Sequence, residues 1–146
     1  MADGYEFKLQ RLLDIREKKE EEQKIIFMNE MNKKNKVEKD LENLQENLER
    51  YSQISNEMST TDRKIQYQYM NLLNSTIDIT KDKLKLHEKK VEKTRKDLVE
   101  AQVSKKIVSI LKEKDKIKFT NEQNRIEQIQ NDEFGLYGYM RKVERR

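Results

Sequence analysis

Few residues of this chain have the types and spacing that catalysis or metal binding requires. There is one histidine, His87, and no cysteine. Carboxylates that could offer oxygen ligands to a metal stand together at Asp132 and Glu133, and four residues apart at Asp78 and Asp82. His87 falls on an apolar helical spacing, where a polar residue of a helix seam is the expected role. The sequence predicts no catalytic residue, no metal site and no cofactor.

Lysine clusters at 33–36, 81–90 and 112–118 raise the question of nucleic-acid binding. Acidic residues stand beside or within these clusters, no aromatic platform is interleaved with them, and the net charge is only +4 for 32 basic and 28 acidic residues. We predict no nucleic-acid partner, and weak binding to nucleic acid stays an alternative.

The elements that carry these residues are predicted to be long helices. Charged residues make up 41% of the chain and apolar residues 34%, which is too little for an ordinary globular core. Proline is absent, and glycine occurs only at Gly4, Gly135 and Gly138. The predicted fold class is all-α.

The first half has the seven-residue spacing of a coiled coil. The same register places polar residues on the seam between about 16 and 34, so we expect looser pairing there, with a drift in phase that brings Leu12, Ile15, Ile25, Ile26 and Met28 to the apolar side. The apolar seam positions are Leu9, Leu13, Phe27, Val37, Leu41, Leu44, Leu48, Tyr51 and, after one slip, Met58.

The second half repeats the spacing, and we expect its register to shift after residue 101. The first part of the seam is Met70, Leu73, Ile77, Leu84, His87, Val91, Leu98 and Ala101. The shifted part is predicted at Ile107, Ile110 and Leu111, followed by Ile117, Phe119, Ile126 and Ile129.

Helix-capping residues at 59–62 lie where the spacing fails, which predicts a chain reversal there. Residues 1–58 have a net charge of −3 and residues 59–146 of +7, which favours pairing within one chain. We predict one domain, an antiparallel coiled-coil hairpin with helix 1 at about 7–57, a turn at about 58–61, a longer helix 2 at about 61–133 and a flexible tail at 134–146. Leu9 then faces the region of Leu111, and residues 114–131 have no partner within the chain.

Two aromatic groups are open to more than one interpretation. Tyr51, Tyr67, Tyr69 and Met70 lie near the turn, either as core or, since at least one tyrosine must face water, as an interaction patch. In the sequence NDEFGLYGYMRKVERR (131–146), Gly135 is predicted to end the helix. The aromatic residues beyond it are then either a tail that orders against a partner or a frayed terminus.

The chain resembles the FliJ family of flagellar type III export proteins over nearly its whole length. The resemblance rests on FKLQRLLDIRE (7–17), YQYMNLLNSTI (67–77) and NRIEQIQNDEFGLYGYMRK (124–142), of which the third is the most specific. It implies a non-enzymatic antiparallel coiled coil, similar to the stalk of rotary ATPases. The stalk is expected to enter the hexameric export ATPase FliI, to contact the export gate FlhA and to help recycle substrate chaperones. The expected location is the cytoplasm, peripherally at the inner face of the cell membrane.

The resemblance also suggests two sets of site residues. The set expected to face the ATPase is Leu12, Leu13, Arg16, Ile126, Ile129 and Phe134. The set expected to face the export gate is Leu44, Leu48, Tyr51, Tyr67, Met70 and Ile77. The alternative is a generic coiled-coil scaffold, and the hairpin hypothesis expects a monomer of 17.8 kDa in dilute solution.

Overall fold

The structure, a computed structural model, describes residues 4–53 and 58–145 and consists of two helices. Helix α1 spans Gln10–Tyr51 and helix α2 spans Thr60–Glu144, with lengths of 42 and 85 residues. No strand occurs in the described part of the chain. The predicted fold class, an all-α helical hairpin with a longer second helix, is confirmed.

The chain divides into two compact units, and the predicted single domain stays a prediction. Unit 1 comprises Met1–Lys19 and Gln102–Arg146, and unit 2 comprises Glu20–Ala101. Each unit therefore contains a segment of α1 and a segment of α2. In unit 1 the start of α1 contacts the later part of α2, as Arg16 does with Ser104. In unit 2 the end of α1 contacts the start of α2, as Tyr51 does with Tyr69. The pairing within each unit is therefore antiparallel.

Side-chain caps set the helix ends near the turn. The Asp62 amide donates to the Ser59 hydroxyl at 3.1 Å, so Ser59 caps the start of α2, which begins at Thr60. The Ser52 hydroxyl donates to the Glu49 carbonyl at 2.7 Å where α1 ends. The predicted end of helix 1 near residue 57 lies outside the described residues, and its observed end is Tyr51.

The seam of α1 keeps a single seven-residue register, so the predicted drift in phase is wrong. Leu13 and Val37 are buried, and the polar Glu20 is buried on the same face. Long polar side chains can cover a seam with their methylene stems, so the chain does not need to turn apolar neighbours inward. Of the residues expected to supply the apolar side, Leu12 is half-buried, and the exposed ones are Ile15, Ile25, Ile26 and Met28.

The predicted register shift of α2 after residue 101 is also wrong. Ala101 and Val108, seven residues apart, are both buried, and Val108 is only 1% exposed. Ile107, Ile110 and Leu111, the predicted shifted seam, are exposed. The small Ala101 and the branched Val108 keep the original register, so the isoleucines beside them point to solvent.

Helix α2 continues through both glycines to Glu144, so the predicted helix end at Gly135 and the flexible tail are wrong. Neither Gly135 nor Gly138 has a positive φ, which is the conformation that makes glycine a helix terminator. Good helix formers follow the two glycines at Leu136, Met140, Arg141 and Lys142, and they favour continuation of the helix.

Candidate functional site

The main candidate surface is the last part of α2, residues 120–145, which we call the arm. Every side chain of the arm is exposed, whereas the segment 102–119 of the same unit contains the buried Val108 and the half-buried Phe119. The arm carries large apolar side chains, which a helix normally buries against another element. An exposed apolar helix face of this kind is typical of a protein interaction surface.

The arm begins where contacts from the N-terminal segment end. The Tyr5 ring packs against the Phe119 ring with 5.3 Å between centroids. The Tyr5 hydroxyl donates to Asp115 Oδ2 at 3.0 Å, and Lys112 Nζ donates to Gln10 Oε1 at 2.6 Å. The sequence predicted residues 114–131 to be without a partner, but Asp115 and Phe119 do have one, which sequence spacing missed because Tyr5 precedes the helix.

Electrostatics around Tyr5 favour its neutral form. Burial, then the hydrogen bond to Asp115, then repulsion from that carboxylate raise the pKa of the Tyr5 hydroxyl above its ordinary value. The neutral hydroxyl can donate a hydrogen bond, so the contact between the N-terminal segment and α2 is maintained at neutral pH.

One apolar line follows the arm on the face that continues the seam. Successive residues of an α-helix differ by about 100°, so side chains at alternating spacings of three and four share a face. Counted from Val108 and Phe119, which lie at the seam, this face continues through the arm, and we call these residues the arm stripe. Its members are Ile126, Ile129, Leu136, Met140 and Val143, all exposed.

The structure divides the residues expected to face the ATPase into three groups, all within unit 1. Leu13 is buried and Leu12 half-buried between the helices, and Arg16 Nη1 donates to the Ser104 carbonyl at 2.8 Å. Ile126 and Ile129 lie on the arm stripe and are 38% and 45% exposed.

Phe134 forms the third group. It is 72% exposed, and at about 100° per residue it points roughly 80° away from Ile126. Leu136, Met140 and Val143 were not selected from the sequence because the helix was expected to end before them. The unbroken seven-residue spacing of the seam was the signal that would have found them.

The residues expected to face the export gate all lie in unit 2. Tyr51 and Tyr69 form an edge-to-face pair with 5.2 Å between ring centroids, and Ile77 is buried. Tyr67 is 67% exposed, which confirms that at least one tyrosine near the turn faces solvent. Leu44, Leu48 and Met70 are half-buried along the seam.

A cleft of about 460 Å³ lies beside the paired tyrosines in unit 2. Tyr51, Ile65 and Tyr69 contribute its aromatic and aliphatic walls. The Gln66 amide donates to the backbone carbonyls of Tyr51 and Gln53, which anchors the end of α1 to the first turns of α2. Ile65 did not stand out in the sequence because it lies outside the seam, and Gln66 did not because it is polar.

His87 is half-buried, and its Nδ1 atom is buried without a hydrogen-bond partner in the described part of the chain. Within residues 4–53 and 58–145, no three histidine, aspartate or glutamate side chains are grouped closely enough to hold a metal. Neither helix, over its described length, has a stretch apolar enough for a membrane span.

The fold and its exposed surfaces place the chain among the helical-hairpin proteins, with a second helix much longer than the first. The family described as Flagellar FliJ protein matches residues 5–144. The chain therefore belongs to the FliJ family and is a component of the flagellar export apparatus. No curated protein and no solved structure matches it.

Proposed function

We propose that the chain is the non-enzymatic central stalk and adaptor of the flagellar type III export apparatus. In this proposal unit 1, with the arm, inserts into the hexameric export ATPase FliI. Residues of unit 2 near the turn contact the export gate FlhA, and the protein assists the recycling of substrate chaperones. It acts in the cytoplasm, held at the inner face of the cell membrane through the gate.

The observation that carries this proposal is the exposed arm stripe. Its residues repeat the spacing that buries Val108 in the paired part of the same unit, yet Ile126 and Ile129 remain exposed. Fully burying one such side chain contributes roughly 1.5 to 3 kcal/mol, before the cost of association. A partner that encloses the arm therefore gains enough free energy for a specific contact, and the interior of a ring-shaped ATPase would enclose it.

The contact with the gate is supported by the aromatic group of unit 2. Tyr51 and Tyr67 present exposed rings beside the half-buried Met70, and tyrosine and methionine are enriched where proteins meet. Leu44, Leu48 and Ile77 are seam residues, so in this proposal they support the exposed rings and the partner contacts the tyrosines.

The experiment that tests the stalk is the ATP turnover of the export ATPase from the same organism, measured with increasing amounts of the full chain. We expect wild type to raise turnover. The double variant Ile126→Ser/Ile129→Ser should need at least roughly tenfold more protein for the same effect, because two buried aliphatic contacts are lost.

The matched control is Ile117→Ser. Ile117 is 60% exposed and belongs to the same helix, but at about 100° per residue it points to the side opposite Ile126. The Ile117→Ser variant should stimulate ATP turnover as wild type does. A wild-type chain without effect on turnover, or equal losses in both variants, would contradict the proposal.

A further inference from the structure

Helix α2 carries another apolar line in unit 2, about 100° around the helix from the seam that packs on α1. Ile65, Leu72, Ile79 and Leu86 stand seven residues apart, and each is more than half exposed. Seven residues at about 100° each return to within roughly 20° of the starting direction, so the four side chains form one line along the helix. We call this line the second stripe.

The second stripe has the spacing of a complete coiled-coil seam. Tyr69, Thr76, Lys83 and Lys90 each follow a stripe residue by four positions, which produces the alternating steps of four and three that two helices need to interlock. The Thr76 hydroxyl donates to the Leu72 carbonyl at 2.8 Å. Because this hydroxyl is already bonded, covering Thr76 does not leave an unpaired polar group.

The second stripe is separate from the seam that packs on α1. Leu73 and Ile77 are buried in unit 2, whereas Leu72 and Ile79, their near neighbours in sequence, are 63% and 68% exposed. A helix that has two such faces can pack against two helices at once. Helix α1 covers one of the faces, and the second stripe is left for another helix.

We propose that the second stripe binds the second stripe of another copy of this chain, with the two α2 helices antiparallel. A twofold axis between Ser75 and Thr76 then places Ile65 opposite Leu86 of the second copy, and Leu72 opposite Ile79 of the second copy. Every aliphatic residue of the stripe thus meets an aliphatic residue, in both halves of the interface.

Charge distinguishes the antiparallel from the parallel arrangement. In the antiparallel arrangement Lys90 lies beside Asp62 of the second copy, so opposite charges meet at both ends of the interface. In a parallel arrangement Lys83 and Lys90 would each face their own counterpart, and like charges would repel.

The stripe is self-complementary, and this favours a second copy over a different protein. A twofold interface requires that residue i meets residue j while j meets i. The stripe meets this condition in its aliphatic layers, and the residues beside it meet the condition with Lys90 and Asp62 at the ends and Thr76 near the centre. A surface that binds an unrelated helix does not need this twofold pairing at all of these positions.

Disulfide cross-linking tests the arrangement cleanly because the chain contains no cysteine. Thr76→Cys should form a disulfide-linked dimer under mild oxidation, since the two-fold axis brings the two thiols together. Ile65→Cys alone should not cross-link, whereas a mixture of Ile65→Cys and Leu86→Cys chains should give the mixed dimer. Asn74→Cys, about 200° around the helix from Leu72, is the control and should stay monomeric.

Sedimentation of the full chain measures the same interface without oxidation. The mass of wild type should rise with concentration from 17.8 kDa toward twice that value. Leu72→Gln/Ile79→Gln should raise the dissociation constant at least tenfold. Ile25→Gln/Met28→Gln, which changes two exposed apolar residues of α1 in the same unit, should leave it unchanged within about twofold.

Three results would overturn the proposal. One is a wild-type chain that stays at 17.8 kDa at every concentration tested. Another is cross-linking of Ile65→Cys to itself, which would require a parallel pair. The third is a monomeric wild type whose binding to another export component is weakened by Leu72→Gln/Ile79→Gln, since the stripe would then belong to that protein.

Discussion

Two segments of α2 in unit 1 have the same spacing of apolar residues and opposite surroundings. In residues 102–119 the seam faces α1 and the N-terminal segment, and Val108 is 1% exposed. In the arm the same face continues, and Ile126 is 38% exposed. The difference lies in the partner, because α1 and the residues before it end their contacts at Phe119.

The comparison shows that a seven-residue pattern indicates a helix face made for packing but does not identify what packs on it. The paired segment uses its seam for stability, at about 25 cal/mol per Å² of apolar surface removed from water. The arm makes no such contribution in the isolated chain. Substitutions on the same face should therefore affect folding in one segment and partner binding in the other.

The largest expected effect is at the paired segment. Val108→Asp places a charge at a fully buried position and should lower the free energy of unfolding by about 3 kcal/mol or more. Urea unfolding followed by circular dichroism measures the change. Ile126→Asp, the same type of change on the arm, should stay within about 0.5 kcal/mol of wild type. Equal destabilisation by the two variants would mean that the arm is covered in the free chain.

A smaller effect is expected where the two segments meet. Tyr5→Ala removes the ring contact with Phe119 and the hydrogen bond to Asp115, so the start of α1 should open more often. Hydrogen exchange of the Gln10 amide, which donates to the Phe7 carbonyl at 3.1 Å, should become roughly tenfold faster. Tyr5→Phe keeps the ring, so its exchange rate at the Gln10 amide should lie between those of wild type and Tyr5→Ala. An unchanged exchange rate in Tyr5→Ala would show that Tyr5 does not hold the start of α1 in place.

The same contact predicts a dependence on alkaline pH. The pKa of Tyr5 is raised in the folded chain, so its stabilising contribution is present below the ordinary tyrosine value of about 10 and is lost as pH rises through the higher folded value. The difference between ultraviolet titrations of wild type and Tyr5→Phe should isolate one tyrosine that ionises later than ordinary tyrosine does. An ordinary midpoint for that tyrosine would contradict the contact.

The glycines of the arm should have a modest effect of the opposite sign. A Cβ added at Gly135 or Gly138 meets no heavy atom within 4 Å, and neither residue has a positive φ. Gly135→Ala/Gly138→Ala should therefore stabilise the arm helix by roughly 0.5 to 1 kcal/mol per residue. Circular dichroism and hydrogen exchange of the arm should both show more helix. A loss of helix would mean that the glycines do end α2 in solution.

The smallest effect is expected for the ion pair of Glu122 and Arg125, whose atoms approach to 2.6 Å. The hydrogen bond from Arg125 is the main cause that lowers the pKa of Glu122. Any stabilisation is present above the ordinary glutamate pKa of 4.5 and is lost as pH falls through the lower folded value.

Both side chains of this pair are more than half exposed, so Glu122→Gln should leave stability unchanged within error. Carboxyl titration by NMR should show the Glu122 pKa return toward its ordinary value in Arg125→Gln. An unchanged Glu122 pKa in that variant would show that the ion pair does not form in solution.

Periodicity and capping chemistry predicted most of the fold from local information. The run without proline, the seven-residue spacing through Leu13, Val37 and Leu73, and the capping residue Ser59 are properties of neighbouring residues, and they define helices wherever the chain folds. The family matched at residues 5–144 was likewise predicted from motifs of the sequence.

Only the tertiary structure decided which of the competing apolar faces is covered. Ile107 and Val108 are similar side chains one position apart, and the position of α1 determines that Val108 is buried and Ile107 exposed. Tyr5 lies more than a hundred residues from Phe119, so no local pattern relates them. Gly135 would end the helix in the usual way only with a positive φ, and its backbone is helical instead. Sequence spacing identifies helix faces, but the return of the chain on itself determines which face finds a partner, because burial depends on elements that are distant in sequence.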